Sequence, residues 1–205
     1  MSPYSMLGNV PFLRAAKFLS FFLIPVLFIV FSAAELQATT NAHISFADLC
    51  LQADIIFEAT VVSAQSRYDQ DLIYTDVSLS DIAMIKGPSL PQPFLLTFLG
   101  GIIDSDSQVF PGTPQFDTDE RKIIFLEVVP SGYAIVGLWE GVFTKRQVIP
   151  GGLEAVERAD GRFVEGFDQA TGELQFYMPV SEYSKPAVYL DQGAFRALID
   201  TLQAP

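Results

Sequence analysis

The chain has 205 residues, a formal net charge of −12 and one cysteine, Cys50. This acidity argues against binding to nucleic acids and to anionic membrane surfaces, because Lys and Arg supply most of the affinity for both. An internal disulfide framework is excluded, so an apolar core has to stabilise the fold. We expect Cys50 to be a buried, inert thiol; an intermolecular disulfide or a reactive role is the alternative.

The N-terminus has the three parts of a secretory signal peptide. Arg14 and Lys17 precede a dense apolar run over residues 18–31, and small residues follow it. We predict a signal peptide over residues 1–34, or over residues 1–38 if the second cleavage site is used. Translation starts either at the first methionine or at the sixth residue.

The same apolar run is also compatible with an uncleaved anchor. Residues 18–34 would then hold the chain at the inner membrane, which is the one membrane contact we expect. The run is short for a full bilayer span, so cleavage is favoured. Both outcomes place the rest of the chain outside the cytoplasm, in the periplasm or the medium, because the basic residues precede the run.

After the leader, the chain predicts a linker and short helix over residues 35–52, and then strands. Ser45 and Asp48 have the spacing of an N-cap and its partner in the first helical turn. From Asp54 onward, apolar and polar residues alternate as in half-buried strands. The apolar phase slips by one residue before Ile82, which indicates a bulge that bends the second strand, and bent strands close small barrels.

Further strands are predicted in the middle of the chain. Residues 94–99 form the third strand, and residues 123–129 are apolar almost without interruption, as expected for a strand in the middle of a sheet. The intervening residues 102–119 are predicted to be a loop, because prolines and glycines interrupt them. Residues 133–139 and 142–148 complete the strand pattern.

The C-terminal part, residues 150–205, is predicted to be an appended β-hairpin and an amphipathic helix. Asp160-Gly161 has the composition of a hairpin turn, and Asp191 that of a helix N-cap. The apolar face of this helix consists of Phe195, Leu198, Ile199 and Leu202. The fold class is therefore mainly β: a small closed antiparallel barrel over residues 53–149, with a short N-terminal helix and these C-terminal additions.

Four blocks occur in an order that resembles a known family. They are Ala53-Asp54-Ile55-Ile56, residues 82–88 (Ile-Ala-Met-Ile-Lys-Gly-Pro), residues 122–126 (Lys-Ile-Ile-Phe-Leu) and residues 133–137 (Tyr-Ala-Ile-Val-Gly). In this order they resemble the OB-fold barrel of the netrin-like superfamily, best known from the tissue inhibitors of metalloproteinases. The resemblance covers residues 53–139 and implies an OB-like barrel.

A second resemblance is to a group of exported bacterial proteins of undefined function. The shared features are Gly100-Gly101, Gly112-x-Pro114-x-Phe116, Glu120 and Phe125-Leu126. The metalloproteinase inhibitors chelate the zinc of their target with an N-terminal cysteine. Neither Glu35 nor Thr39, the two candidate N-termini, supplies one, so the resemblance does not extend to that inhibitory mechanism.

No catalytic constellation is present in the sequence. The single histidine, His43, lies at the junction between leader and domain, where we expect a surface position. Nucleophile elbows, metalloprotease helices and phosphate-binding loops are missing, so we predict a protein that is not an enzyme and uses no cofactor. The alternative is a hydrolase that uses carboxylates alone, with an essential acid within residues 104–120.

Two further groups of residues are candidate sites. Asp104 and Asp106 alternate like the first ligands of a calcium loop, but the rest of the loop pattern is absent, so an ordinary polar loop without metal is predicted. Arg67, Tyr68 and Asp69 fall in the predicted turn of residues 66–71, at the rim where OB barrels bind ligands. We take them as the candidate binding residues, with a partly packed turn as the alternative.

These observations favour a non-enzymatic, exported domain that binds another protein. An exported protease or a component of the cell envelope is the expected partner. A structural envelope protein tethered by its uncleaved leader is a further alternative.

Overall fold

The structure, a computed structural model, describes residues 43–147, 154–177 and 190–203. The predicted signal peptide, its alternatives and most of the linker lie outside these ranges. The described residues belong to one unit, Asn41–Pro205. They are mainly β, as predicted, with one short helix near the beginning and one at the end.

The elements follow one another along the described ranges as a long series of strands between two helices. The helices are α1 (Phe46–Gln52) and α2 (Gln192–Gln203), and a 3-10 turn spans Leu138–Gly141. The strands are β1 (Ile55–Asp69), β2 (Leu72–Lys86), β3 (Phe94–Leu99), β4 (Gly101–Ile103), β5 (Asp106–Gln108), β6 (Arg121–Val129), β7 (Gly132–Ile135), β8 (Val142–Gln147), β9 (Glu154–Arg158), β10 (Phe163–Asp168) and β11 (Glu173–Tyr177).

Both ends of helix α1 are capped by side chains. The Ser45 hydroxyl accepts a hydrogen bond from the backbone N–H of Asp48 (3.1 Å), which confirms the predicted N-cap. At the other end, the Lys86 ammonium group donates to the carbonyl oxygen of Cys50 (2.9 Å). A cation at a helix C-terminus is favourable because it faces the negative end of the helix dipole. The end of β2 therefore fixes α1 against the sheet.

The main sheet is antiparallel and open. Its strand order is β11-β10-β9-β8-β6-β1-β2-β3, with β7 also paired to β6, while β4 and β5 form a separate hairpin. The closed barrel predicted from the sequence is not formed, because within the described ranges no strand joins β3 to β8 or β11. After β3 the chain forms the β4–β5 hairpin, so the loop predicted over residues 102–119 is wrong for its first part. Residues 109–119 are a loop as predicted, and its prolines 111 and 114 disfavour a closing strand there. Strands β9–β11 instead extend the opposite edge.

The predicted bulge in β2 is confirmed. Glu58 is opposite Ala83, but Thr60 is opposite Ser80, so β2 has one residue more than β1 in this interval. Asp81 lies there with φ of +51°. The extra residue absorbs the slip in apolar phase that the sequence shows, and a bulge of this kind bends the strand that contains it.

Two apolar cores lie on opposite faces of the sheet. The first is formed under the helices, chiefly by Phe46, Leu49, Cys50, Ile56, Ile123, Phe125, Phe143, Phe195 and Ile199. The second is formed under the bent β1–β2 hairpin, chiefly by Ile55, Phe57, Val61, Val77, Leu79, Phe94, Leu96, Phe116, Ile124 and Leu126. The predicted central position of residues 123–129 is confirmed, because β6 contributes to both cores.

Helix α2 packs on the first core as the sequence predicts. The Asp191 carboxylate accepts a hydrogen bond from the backbone N–H of Ala194 (2.8 Å), which is an N-cap contact. Phe195 and Ile199 are fully buried, and Leu198 and Leu202 pack against the same core. The predicted apolar face of this helix is thus confirmed.

A buried carboxylate links α2 to the middle of the sheet. Glu58 in β1 accepts hydrogen bonds from Arg121 in the neighbouring strand β6, from Lys145 in β8 on the far side of β6, and from Gln192 in α2. Burial alone would raise the pKa of Glu58, but the hydrogen bonds from the two cations outweigh it and hold the pKa below its usual range. Removing one of these partners leaves a buried charge incompletely compensated, which is costly.

We expect the Phe46→Ala substitution to destabilise the fold strongly. The Phe46 ring contacts the rings of Phe125, Phe143 and Phe195, with centroids 5.2–5.9 Å apart. Truncating a buried phenylalanine costs about 3–5 kcal/mol, because apolar contacts are lost and a cavity remains. Urea unfolding measures this difference in the free energy of unfolding.

The matched control lies on the same helix. Leu51 is 65% exposed, so Leu51→Ala should change the free energy of unfolding by no more than about 0.5 kcal/mol. Equal losses for the two variants would contradict the assignment of Phe46 to the core.

Candidate functional site

The candidate binding residues Arg67, Tyr68 and Asp69 lie in a strand and not in a loop. Strand β1 continues to Asp69, which is opposite Leu72, so the turn contains only residues 70 and 71. The prediction of a polar turn over residues 66–71 is therefore wrong. The cause is that side chains on both faces of this end of the hairpin are largely exposed. The residues there are therefore mostly polar and lack the alternation of apolar and polar residues that indicates a strand.

All three of these residues are engaged by side chains of the same chain, and Asp69 lies 3.7 Å from the Arg67 guanidinium. The Arg67 guanidinium donates to the Asp76 carboxylate (2.7 Å), and the Tyr68 hydroxyl donates to the Asp106 carboxylate (2.5 Å). The hydrogen bond to Asp106 raises the pKa of Tyr68. A partner that used Arg67 or Tyr68 as an anchor would first have to displace these contacts.

The weak cation candidates, Asp104 and Asp106, have structural roles in the β4–β5 hairpin. Asp104 occupies the left-handed region of the hairpin turn with φ of +53°, a conformation that Asp tolerates better than most residues. Asp106 accepts the hydrogen bond from Tyr68 described above. Across the residues that the structure describes, no three His, Cys, Asp or Glu side chains are grouped so that they could hold a metal ion.

A loop that follows the β4–β5 hairpin packs beside β3. We call residues 109–119 the plug loop; it contains the motif Gly112-x-Pro114-x-Phe116. Pro114 and Phe116 are buried, and the Phe116 ring packs on Phe98 of β3 with centroids 5.6 Å apart. The carbonyl oxygen of Gly112 also accepts a hydrogen bond from the backbone N–H of Trp139 (3.0 Å). The plug loop thus connects β3 with the 3-10 turn that follows β7.

An apolar groove of about 360 Å³ lies between β3, β7 and the plug loop. We call it the seam groove. It is lined by Leu96, Thr97, Phe98, Leu99, Phe110, Pro111, Thr113, Pro114, Tyr133, Ala134, Ile135 and Leu138, and none of these residues is charged.

Both strands present an edge to the seam groove. Side chains alternate between the two faces of a strand, so four consecutive lining residues in β3 and three in β7 mean that the strand edge, with its backbone, borders the groove. Strand β3 pairs only with β2, and β7 only with β6, among the strands that the structure describes. Unpaired backbone groups at such edges are templates for an added strand.

Partly exposed apolar side chains surround the seam groove. Phe110, Tyr133 and Leu138 are each about two-fifths exposed. The Tyr133 ring also packs against Phe94 of β3, with centroids 5.3 Å apart, and this contact spans the gap between the two strands. Rigid aromatic groups beside an apolar groove are typical anchors for a protein partner.

Sequence reasoning missed the seam groove. The motif Gly112-x-Pro114-x-Phe116 was identified, but its role depends on Phe98 and Trp139, which are distant from it along the chain. The prolines at positions 111 and 114 were the usable signal. Proline has no backbone N–H to donate to a neighbouring strand, so a segment that contains two prolines is a poor candidate for a strand that closes a sheet.

The carboxylate hydrolase alternative needs a carboxylic acid that stays protonated near neutral pH. Burial alone would raise the pKa of Glu120, but hydrogen bonding to Lys122 and the charge of Arg146 hold it below its usual range. Asp160 is hydrogen-bonded by Arg158 and Arg162, and these contacts outweigh its burial and lower its pKa to about 2. Glu120 and Asp160 are therefore unsuited to the role of general acid.

Cys50 is fully buried in the first core, as predicted. Burial raises the pKa of its thiol to about 12, with only a small opposing effect from Lys86. The thiolate is the reactive form of cysteine, so the native environment suppresses nucleophilic chemistry at this position.

We expect Cys50 to resist a thiol reagent at pH 8 in the native protein and to react fully in concentrated urea. The exposed position beside it gives a control: Leu51→Cys adds a thiol that should react rapidly in the native state. Counting the modified thiols by mass spectrometry distinguishes the two. Modification of wild-type Cys50 at the rate of the control thiol would show that its environment opens readily.

His43 lies at the surface and joins the first described residues to two later elements. Its Nδ1 atom is 2.9 Å from a carboxylate oxygen of Glu140, and its Nε2 atom is 3.1 Å from one of Glu173. The other oxygen of Glu140 accepts the N–H of Ile44 (3.1 Å). The hydrogen bond to Glu140 is the main cause of a raised His43 pKa.

We expect the contacts of His43 to stabilise the fold at low pH and to weaken as the pH rises. The pKa is raised in the folded state, so the stabilisation is complete below the ordinary value of 6.5 and disappears as the pH passes the folded-state pKa. Urea unfolding of wild type and His43→Gln at pH 5.5 and 8.5 measures this: wild type should be the more stable at pH 5.5, with a smaller difference at pH 8.5.

Because His43 is the only histidine in the chain, its imidazole NMR signal gives the pKa directly. Glu140→Gln should lower that pKa toward 6.5. A wild-type value at or below 6.5 would contradict the pairing with the two carboxylates.

Comparison of the chain with protein-family models, with curated proteins and with solved structures finds no match. Among residues 43–147, 154–177 and 190–203, no helix has the length and apolar character needed to cross a membrane.

Proposed function

We propose that this chain is an exported, non-enzymatic domain that binds an extended segment of another protein in the seam groove. The observation that carries the proposal is the pair of strand edges that border an uncharged, apolar groove. A peptide segment placed there can add backbone hydrogen bonds to a strand edge while its side chains enter the groove, the recognition mode called β-augmentation.

The chemistry of the groove and of the chain specifies the partner segment. The uncharged lining favours apolar side chains at alternate positions of an extended segment. The net charge of −12 favours lysine or arginine beside that segment, because opposite long-range charge speeds association. If the chain is exported, a segment of an exported protease or of an envelope protein is the expected ligand.

We also propose that the strands of this domain have an OB-like arrangement. The order β3-β2-β1-β6-β8, with a bulged β1–β2 hairpin, supports an OB-like arrangement that is open on one side. OB barrels are themselves partly open and bind ligands at their rim and on one face. In this chain, the opening between β3 and β7 takes the place of that binding rim.

Selection from a display library of extended peptides on the immobilised full chain tests the proposal. We expect enrichment of peptides with alternating apolar residues and basic flanks. Leu138→Glu places a charge in the groove, so it should weaken binding of the selected peptides by at least about tenfold, as expected when an interface anchor is lost. Hydrogen exchange of the amides in β3 and β7 should slow when the peptide binds.

Leu51→Glu is the matched control, because it introduces the same charge at an exposed leucine on α1. It should bind the selected peptides as wild type does. Failure to enrich any peptide, or equal binding by Leu138→Glu and wild type, would reject the seam groove as the binding site. A pull-down from periplasm or medium with both variants then identifies natural partners that depend on Leu138.

A further inference from the structure

A second cavity, separate from the seam groove, lies on the other side of the plug loop. Its volume is about 450 Å³, within the range of small-molecule sites. We call it the polar cavity. It is lined by Gly112, Thr113, Pro114, Gln115, Asp117, Glu120, Lys122, Trp139, Thr144, Arg146, Glu157, Arg158, Ala159, Asp160 and Gly161.

One wall of the polar cavity contains a buried lysine. The Lys122 side chain is more than nine-tenths buried, and its ammonium group lies 2.5 Å from a carboxylate oxygen of Glu120. It also donates to the Thr144 hydroxyl (2.8 Å). A lysine is rarely buried to this extent without such partners.

The lining of the polar cavity also contains a buried arginine, Arg158. The Arg158 guanidinium lies over the rings of Trp139 and Phe176, at 4.9 Å and 3.9 Å from their centroids, and it donates to the Asp160 carboxylate (2.6 Å). Its Nε atom is buried and has no hydrogen-bond partner among the described residues. The planar group is therefore fixed in orientation by aromatic contacts, and not all of its hydrogen-bonding capacity is used.

The third cation of the polar cavity, Arg146, is also paired, while Asp117 is a lining carboxylate without an ion pair among the described residues. The Arg146 guanidinium lies 2.8 Å from a carboxylate oxygen of Glu120 and 2.7 Å from one of Glu157, and Asp117 is near enough to favour its charged form. The three cations in the lining are thus matched by carboxylates. A charged ligand that bound one of these cations or its carboxylate would have to compete with an existing pair, and a buried charge that loses its partner is expensive.

We propose that the polar cavity binds a neutral, polyhydroxylated ligand, namely a sugar unit of a glycan. A sugar hydroxyl both donates and accepts, so it can donate to Glu120, Glu157 or Asp160 and accept from Lys122, Arg146 or Arg158 without separating an ion pair. Hydrogen bonds to charged groups are stronger than those between neutral groups, so a neutral ligand can still bind selectively. This inference does not depend on peptide binding in the seam groove.

Trp139 is the only tryptophan in the chain and lines the polar cavity, so its fluorescence reports occupancy directly. The full chain is titrated with glucose, N-acetylglucosamine, maltotriose, cellotriose and N-acetylchitotriose. Sodium phosphate, glutamate and lysine serve as charged probes. We expect a saturable change with at least one saccharide and none with the charged probes. Response to a trisaccharide but not to its monosaccharide would assign the ligand to a glycan chain.

Two matched variants locate the binding site. Ala159 and Ala170 are both exposed turn residues, and only Ala159 lines the polar cavity. Ala159→Phe fills the cavity without removing an ion pair, so it should weaken saccharide binding by at least about tenfold. Ala170→Phe should leave the affinity unchanged. Lys122→Met removes a hydrogen-bond donor of the cavity and should also weaken binding. If Lys122→Met fails to fold, Ala159→Phe alone tests whether the saccharide binds in the polar cavity.

Three results would overturn the proposal. They are the absence of any saccharide response, a response to phosphate or an amino acid in place of the saccharides, and undiminished saccharide binding by Ala159→Phe. None of them affects the peptide-binding test, because that test changes Leu138, which does not line the polar cavity.

Discussion

Strands β1 and β6 carry apolar side chains on both faces, and neither face can be left in water. Ile55, Ile56 and Phe57 are consecutive and buried, and so is the whole of residues 123–126. At about 1.5–3 kcal/mol for each buried side chain, this pair of strands outweighs the contribution of surface ion pairs, which is about 0–1 kcal/mol each. Two separate covers are therefore required. The helices supply one, and the bent β1–β2 hairpin with β3 and the plug loop supplies the other.

The parts of this fold that depend on neighbours in sequence were predictable. The caps at Ser45 and Asp191, the bulge near Ile82 and the central strand all follow from spacing within a few residues. Sheet closure was not predictable, because it depends on whether a strand or a loop lies beside β3. The partners of Glu58 are 63, 87 and 134 residues away from it, and no local pattern indicates such pairings. For the same reason, exposed polarity at residues 66–69 was misread as a turn.

The candidate sites show the same contrast between what neighbouring residues in the sequence indicate and what distant residues determine. Arg67 and Tyr68 attract attention in the sequence as an exposed aromatic beside a cation, yet each has a partner of its own in the fold. The residues that line the seam groove are ordinary core-type side chains, and only the failure of the sheet to close leaves them accessible. Function in this molecule is therefore better inferred from what the topology leaves unpaired than from conspicuous residue types.

The plug loop borders both the seam groove and the polar cavity. Thr113 and Pro114 line both the seam groove and the polar cavity, so one short segment of backbone is a common wall between them. A ligand that fixed this wall from one side would leave the loop with less conformational freedom to lose when a second ligand bound on the other side. Thermodynamic linkage makes such an effect reciprocal. Where a strand would have closed the sheet with a rigid wall, this chain has the plug loop. Because the loop borders both cavities, binding in one can influence binding in the other.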